Sequence, residues 1–206
     1  ADSAKMNGVT FCQERINSVS EKLNSILINF DKGNSKYDAV VIAAGINSVS
    51  LAKSLGDFLP MTAERGYNLT IPLSNIDIDI PIVFADRGIV ATSLTSGLRI
   101  GGWAEYAHPS RPANPHYFNS ISRISQDLFP GLNIENANYW MGSRPSTPDS
   151  VPVISKSLKI DRVFYNCGHG HYGLTHAATS ANLLCSLIEG EQNSAEIKAL
   201  SIDRFL

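Results

Sequence analysis

Arg144 sits in Gly142-Ser143-Arg144-Pro145, where a strand-forming run gives way to a loop rich in proline. A guanidinium fixed there offers a planar fork of donors suited to a carboxylate held by two bonds. The alternative is an arginine that ties down loop carbonyls. A second run, Cys167-Gly168-His169-Gly170-His171-Tyr172-Gly173-Leu174-Thr175, sets three glycines between a strand pattern and a helix pattern. Such a turn lets a ligand approach the backbone, and the helix after it presents unpaired N–H groups and a positive dipole end, which suits an anionic edge. The same residues would also serve as a plain tight turn. His169 and His171 lack a second cluster of cysteine, histidine or carboxylate, so no metal site is expected. Neither GxxxxGK[ST] nor GxGxxG occurs. Tyr67, in Arg65-Gly66-Tyr67, either brings a phenol to a cleft or packs as a structural tyrosine. Cys167 reads as a core thiol at a strand end, and Cys12 and Cys185 fall on apolar faces. Trp103 and Trp140 lie on strand patterns, where filling the core is the expected role. His108 and His116 read as solvated.

Several elements are available to position these groups. Residues 9–13, 16–23 and 25–30 are rich in β-formers and read as a small meander closed by the turn cluster 31–35. Residues 37–44 are apolar almost without alternation, the pattern of a strand covered on both faces, and a helix pattern beginning at Ser48 and stopping at Gly56 follows it. Residues 62–71, 82–86, 89–94 and 98–104 form an antiparallel block punctuated by Pro72, Pro81, Gly88 and Gly97. A helix is expected over 115–128, stopped by Pro130-Gly131. Residues 137–142 and 162–167 read as two more strands. A last helix, over 175–188, carries Ala178, Ala181, Leu184, Cys185 and Ile188 on its apolar face.

Composition narrows the function classes. The 206 residues are 43% hydrophobic and 17% charged, enough apolar material for one or two cores, which excludes disorder, collagen and a disulfide miniprotein. A formal charge of −2 and a pI near 6.2 create no field for phosphates, so nucleic acid is not an expected partner. The longest apolar run, Ala39-Val40-Val41-Ile42-Ala43-Ala44-Gly45, falls far short of the roughly 20 residues that cross a bilayer, so any membrane contact is expected to be peripheral. Three cysteines without a CxxC pair fit free thiols in a reducing compartment, which implies a cytoplasmic location. The chain opens at Ala1 with no initiator methionine and no signal-peptide pattern.

Four segments, in order, carry a resemblance: Ala39-Val40-Val41-Ile42-Ala43-Ala44-Gly45, Arg65-Gly66-Tyr67, Gly142-Ser143-Arg144-Pro145-Ser146-Thr147-Pro148-Asp149 and Gly168-His169-Gly170-His171-Tyr172-Gly173-Leu174-Thr175. Together they resemble the C-terminal portion of FAD-dependent D-amino acid dehydrogenases of the small-subunit type, relatives of glycine, sarcosine and D-amino acid oxidases. The resemblance runs from about Gly8 to Phe205. It implies a mixed α/β and α+β chain: an incomplete FAD-binding layer over 1–60 and 137–206, and an antiparallel substrate-binding sheet with a packed helix over 61–136. It implies that Arg144 grips the substrate carboxylate and that Tyr67 shapes the pocket. Flavin contacts would come from Gly142, His169, Gly170, His171, Tyr172, Gly173, Leu174 and Thr175. Ala43, Ala44 and Gly45 would run beside the ADP half of FAD, and the strand near Ile16 would touch adenine. The family's N-terminal βαβ unit, whose GxGxxG loop binds the pyrophosphate, does not occur in this sequence. The implied function is oxidation of D-amino acids, or similar small amine acids, to imino and then keto acids by hydride transfer to FAD. The alternative is a catalytically silent remnant that folds and self-associates without FAD. Either way this chain alone is expected to retain FAD poorly, and its partners would be the missing N-terminal half or further copies of itself.

Overall fold

The computed structural model describes residues 2–190 and 194–206. After a five-residue helix α1 (Asp2–Met6), residues 9–15 are irregular where a strand was expected, and the meander is built one strand later. It comprises β1 (Ile16–Lys22), β2 (Ser25–Phe30) and β3 (Gly33–Tyr37), all antiparallel. Leu23 and Asn24, both at positive φ, form the two-residue turn between paired Lys22 and Ser25. That backbone matches the twist of a hairpin, although leucine adopts it only at a cost. Ile26 and Ile28 are buried on one side of β2. Next comes β4, Val40–Ile42, much shorter than the apolar run suggested. Only Ile42 is buried, and Val41 is 37% exposed, so among the described residues one face is covered rather than two. Helix α2 (Ser48–Ser54) begins where expected, and Gly56 follows it at φ +87°.

The antiparallel block matches its sequence pattern closely. It contains β5 (Thr62–Ile71), β6 (Ile82–Phe84), β7 (Ile89–Leu94), β8 (Gly97–Tyr106), helix α3 (Pro115–Leu128) and β9 (Asn138–Ser146). The sheet order is β6-β7-β8-β5-β9. The Asn114 side chain accepts the His116 N–H at the start of α3, and Pro115 occupies the first turn, where its missing N–H costs nothing. The core lies between α3 and one face of the sheet: Tyr67, Leu69 and Ile71 alternate along β5 and pack with Ile89, Ile100 and Ile121.

The chain then forms β10 (Val153–Lys156), which the proline-rich context concealed, β11 (Val163–Cys167), α4 (Ala177–Ile188) and α5 (Ala195–Ala199). β11 pairs antiparallel with β10 and parallel with β4, giving the order β10-β11-β4. Asp57, 5% exposed, accepts hydrogen bonds from Ser157 Oγ (2.5 Å), Tyr165 Oη (2.7 Å) and the Leu158 N–H (3.1 Å), pinning the end of α2 to the β10–β11 hairpin. Burial, and then the bond to Asp57, push the Tyr165 phenol far above its ordinary value. Helix α4 buries Ser180, Leu184 and Leu187, whereas Ala178, Ala181, Cys185 and Ile188 are exposed.

Two compact units result, one of residues up to Pro60 with Val153–Cys167 and His176–Leu206, the other of Met61–Pro152 with Gly168–Thr175. Residues 137–152 and 168–175, both expected with the first unit, group with the second. For 137–152 the reason is register: β9 pairs with β5 from Thr62↔Ser146 to Thr70↔Asn138, a partnership invisible to local pattern.

Candidate functional site

Alternate rungs of the β5–β9 ladder pair Glu64 with Arg144, Gly66 with Gly142 and Asn68 with Trp140. Arg144 therefore lies within a strand rather than at its end. Side chains alternate across a sheet, and Tyr67, the neighbour of Gly66, stacks on Tyr117 of α3. Glu64, Gly66, Gly142 and Arg144 accordingly occupy the face turned away from α3. Here the glycine pair makes a floor without Cβ atoms. A Cβ on Gly66 would lie 2.5 Å from both terminal nitrogens of Arg144, and one on Gly142 would fall on the six-membered ring of Trp140. The guanidinium thus occupies the space over Gly66, and the six-membered ring of the indole the space over Gly142.

Glu64 organises one end of this floor. It is 8% exposed, and Oε1 meets His171 Nε2 at 2.5 Å and Arg144 Nη1 at 3.4 Å while Oε2 accepts from Ser146 Oγ at 3.0 Å. Burial acts to raise the Glu64 pKa, but the hydrogen bonds from His171 and Ser146 and the charges of His171 and Arg144 outweigh it, leaving the carboxyl below its ordinary value. Among the described residues, Nη1 alone of the Arg144 guanidinium has a side-chain partner. Nη2 and Nε remain, on a side chain 36% exposed. Sequence reading missed Glu64; its signal was an acidic residue beside Arg65 near the start of a strand pattern.

The Gly168–Thr175 loop belongs to the same unit. Gly168 and Gly170, at φ +76° and +51°, turn it along β9, where the Gly170 N–H donates to the Pro145 carbonyl at 3.0 Å and His169 bridges Ser146. The cost to β9 is small because it is an edge strand, where a proline without N–H is tolerated. Tyr172 and Leu174 are 63% and 93% exposed, and Gly173 packs beside His169. Gly142, His171 and Arg144 are thus brought together.

Tyr67 is not brought to this face. It is 2% exposed on the α3 side, donates to Glu105 Oε2 at 2.6 Å, and accepts from the Asn114 N–H and from Arg65 Nη2. Its neighbours make it a core tyrosine that fixes the start of α3. Trp140, expected in the core, is 58% exposed, because it falls on the face that α3 leaves open. Cys12 and Cys185 are exposed, since their apolar neighbours in sequence do not form a covered face. Cys167 is buried, and its thiol is pushed up to about 12 by burial, against a hydrogen bond with Ser48. In the other unit, Ala43 and Ala44 lie exposed after β4, and Gly45, at φ +56°, opens a 3-10 turn. Among the described residues no group of three histidine, cysteine or acidic side chains could hold a metal ion.

The floor yields one prediction directly. Gly66 has no positive φ, and its obstacle is the mobile end of Arg144, so Gly66→Ala should fold normally while displacing the guanidinium. We expect an unchanged melting temperature and about tenfold weaker binding of any small carboxylate at this guanidinium, measured by calorimetry, given roughly 1.5–3 kcal/mol for each charged hydrogen bond.

Residues 1–187 match the FAD dependent oxidoreductase family. The chain is 35% identical over 177 residues to a D-amino acid dehydrogenase of Rhizobium rhizogenes, covering 85% of this chain and 42% of that protein. It is 33% identical over 210 residues to a D-amino acid dehydrogenase of Vibrio atlanticus, covering 100% and 50%. It therefore spans about half the length of the curated relatives it matches. Among solved structures, L-proline dehydrogenase from P. horikoshii superimposes with a TM-score of 0.80 at 19% identity, covering 100% of this chain and 57% of that one. Glycine oxidase from Geobacillus kaustophilus gives 0.77 at 20% identity, covering 95% and 53%. With the family matched over nearly its whole length and the same fold in these neighbours, this chain belongs to the FAD dependent oxidoreductases.

Proposed function

We propose that this chain supplies the substrate-binding sheet of an FAD-dependent enzyme that oxidises D-amino acids, or similar small amine acids, to imino acids, which water converts to keto acids and ammonia. The observation that carries the reading is the partly exposed Arg144 guanidinium, laid over Gly66 with Nη2 and Nε unengaged among the described residues. A carboxylate gripped there by two parallel bonds presents its Cα–H bond in one orientation. Glu64 holds Nη1 from one side and His171 from the other, so the fork and the loop share one anchor.

The residues present fit part of a flavin dinucleotide. In the Gly168–Thr175 loop, the exposed His171, Tyr172, Leu174 and Thr175 and the partly exposed Gly170 and Gly173 offer contacts to part of it. FAD, when bound, supplies the acceptor for the hydride leaving Cα. The pyrophosphate would need the GxGxxG turn, which this sequence lacks. Passing electrons onward to a membrane quinone would require only peripheral contact. Among the described residues no helix is long and apolar enough to cross a membrane.

Two measurements test this. The chain alone should purify colourless, and stoichiometric FAD kept through gel filtration would refute the expected weak binding. Joined to a dinucleotide-binding segment of the length its relatives add, it should hold FAD, and D-alanine without oxygen should bleach the flavin band; no bleaching by any small amine acid overturns the reading. The second reading, a silent module that self-associates, is favoured by the open Val41 and by the exposed stripe of Ala178, Ala181, Cys185 and Ile188 on α4. A monomeric mass by light scattering at low micromolar concentration would remove it.

A further inference from the structure

We propose that Trp140 sets the side-chain preference of this site, favouring amino acids with apolar or aromatic side chains; the inference rests on reading Arg144 as the carboxylate anchor. The ladder orders the ligand. Along this face Glu64 and Arg144 form the first pair, Gly66 and Gly142 the pair two residues on, and Asn68 and Trp140 the pair after that. Arg144 folds back over Gly66, and Trp140 folds forward over Gly142, so guanidinium and indole cover directly opposed positions, about 5 Å apart in such a pair. A carboxylate seated on the guanidinium leaves its Cα substituent two directions along the floor. Toward Glu64 it meets a carboxylate bonded to His171 and Ser146, a polar end where an apolar group would strip water from charge. Toward Trp140 it meets the indole of a residue 58% exposed. An apolar side chain therefore lies against the indole, and Gly142, without a Cβ, is what leaves the ring the space it occupies.

The test compares two carboxylates that differ only in the group reaching the ring. In an FAD-loaded enzyme containing this sequence, Kd values for propanoate and 3-phenylpropanoate are measured by calorimetry for wild type, Trp140→Phe, Trp140→Ala and Arg144→Ala. Wild type should prefer 3-phenylpropanoate by about tenfold, Trp140→Phe should keep most of that preference, and Trp140→Ala should reduce it to within about twofold, in line with aromatic contacts. A ratio taken on one preparation is independent of any misfolded fraction, so a merely structural tryptophan would not move it. An unchanged ratio in Trp140→Ala, or no preference in wild type, overturns the proposal while Arg144→Ala still weakens both ligands. If Arg144→Ala weakens neither, the anchor reading fails and this proposal falls with it.

Discussion

Replacing Arg144 by alanine in an FAD-loaded enzyme that contains this sequence should lower kcat/KM for amino acid substrates by about a hundredfold or more, and by lysine about tenfold. Two charged hydrogen bonds, each worth roughly 1.5–3 kcal/mol, disappear with alanine, whereas lysine keeps the charge and loses the fork. Flavin content and melting temperature should barely change, because the bond to Glu64 is long and the side chain is 36% exposed. An arginine that served only to brace the 147–152 turn would behave in the opposite way. That turn already has its own ties: Thr147 Oγ1 donates to the Val151 carbonyl at 2.9 Å, and the Val151 N–H donates to Asp149 at 3.1 Å. Steady-state kinetics beside a melting curve separates the two, and wild-type kcat/KM in a destabilised Arg144→Ala protein would refute the carboxylate role.

The largest loss of stability is expected from Asp57→Ala. Its carboxylate receives three donors in a buried setting, and without it the Tyr165 and Ser157 hydroxyls lose their acceptor away from water. An unsatisfied buried group costs about 1–3 kcal/mol, so unfolding by denaturant should show a loss of about 3 kcal/mol or more. Asp57→Asn, which keeps an acceptor oxygen, should lose less. Equal stability of Asp57→Ala and wild type would mean that water fills the site.

Where local pattern alone decides an element, the sequence was readable. Strands Thr62–Ile71 and Ile89–Leu94 and helix Pro115–Leu128 start and stop at the residues that Pro72, Pro115 and Pro130-Gly131 mark. Pairing across long separations was not readable. Glu64 gains its meaning from an arginine 80 residues away, and β9 its sheet from β5. Burial failed for the same reason. Trp140, Tyr67 and the α4 stripe each needed knowledge of which face meets a neighbour: α3 covers Tyr67 and leaves Trp140 open. The Gly168–Thr175 loop stood out by its clustered glycines, whereas Arg144 shares its Ser-Arg-Pro setting with Arg111 and stood out only through the longer run Gly142–Asp149.

The parallel pairing of β4 with β11 has a consequence for synthesis on the ribosome. Val40 bonds across to a strand that begins at Val163, about 120 residues later. At roughly 5–20 residues per second, that partner emerges on the order of ten seconds after β4 does. During this interval the apolar stretch 39–44 has no parallel partner to join, while the β6-β7 and β7-β8 hairpins, with partners close in the chain, are free to form. The nascent chain is therefore most exposed to aggregation and to chaperone capture at 39–44, and slowing translation between β4 and β11 would lengthen that exposure.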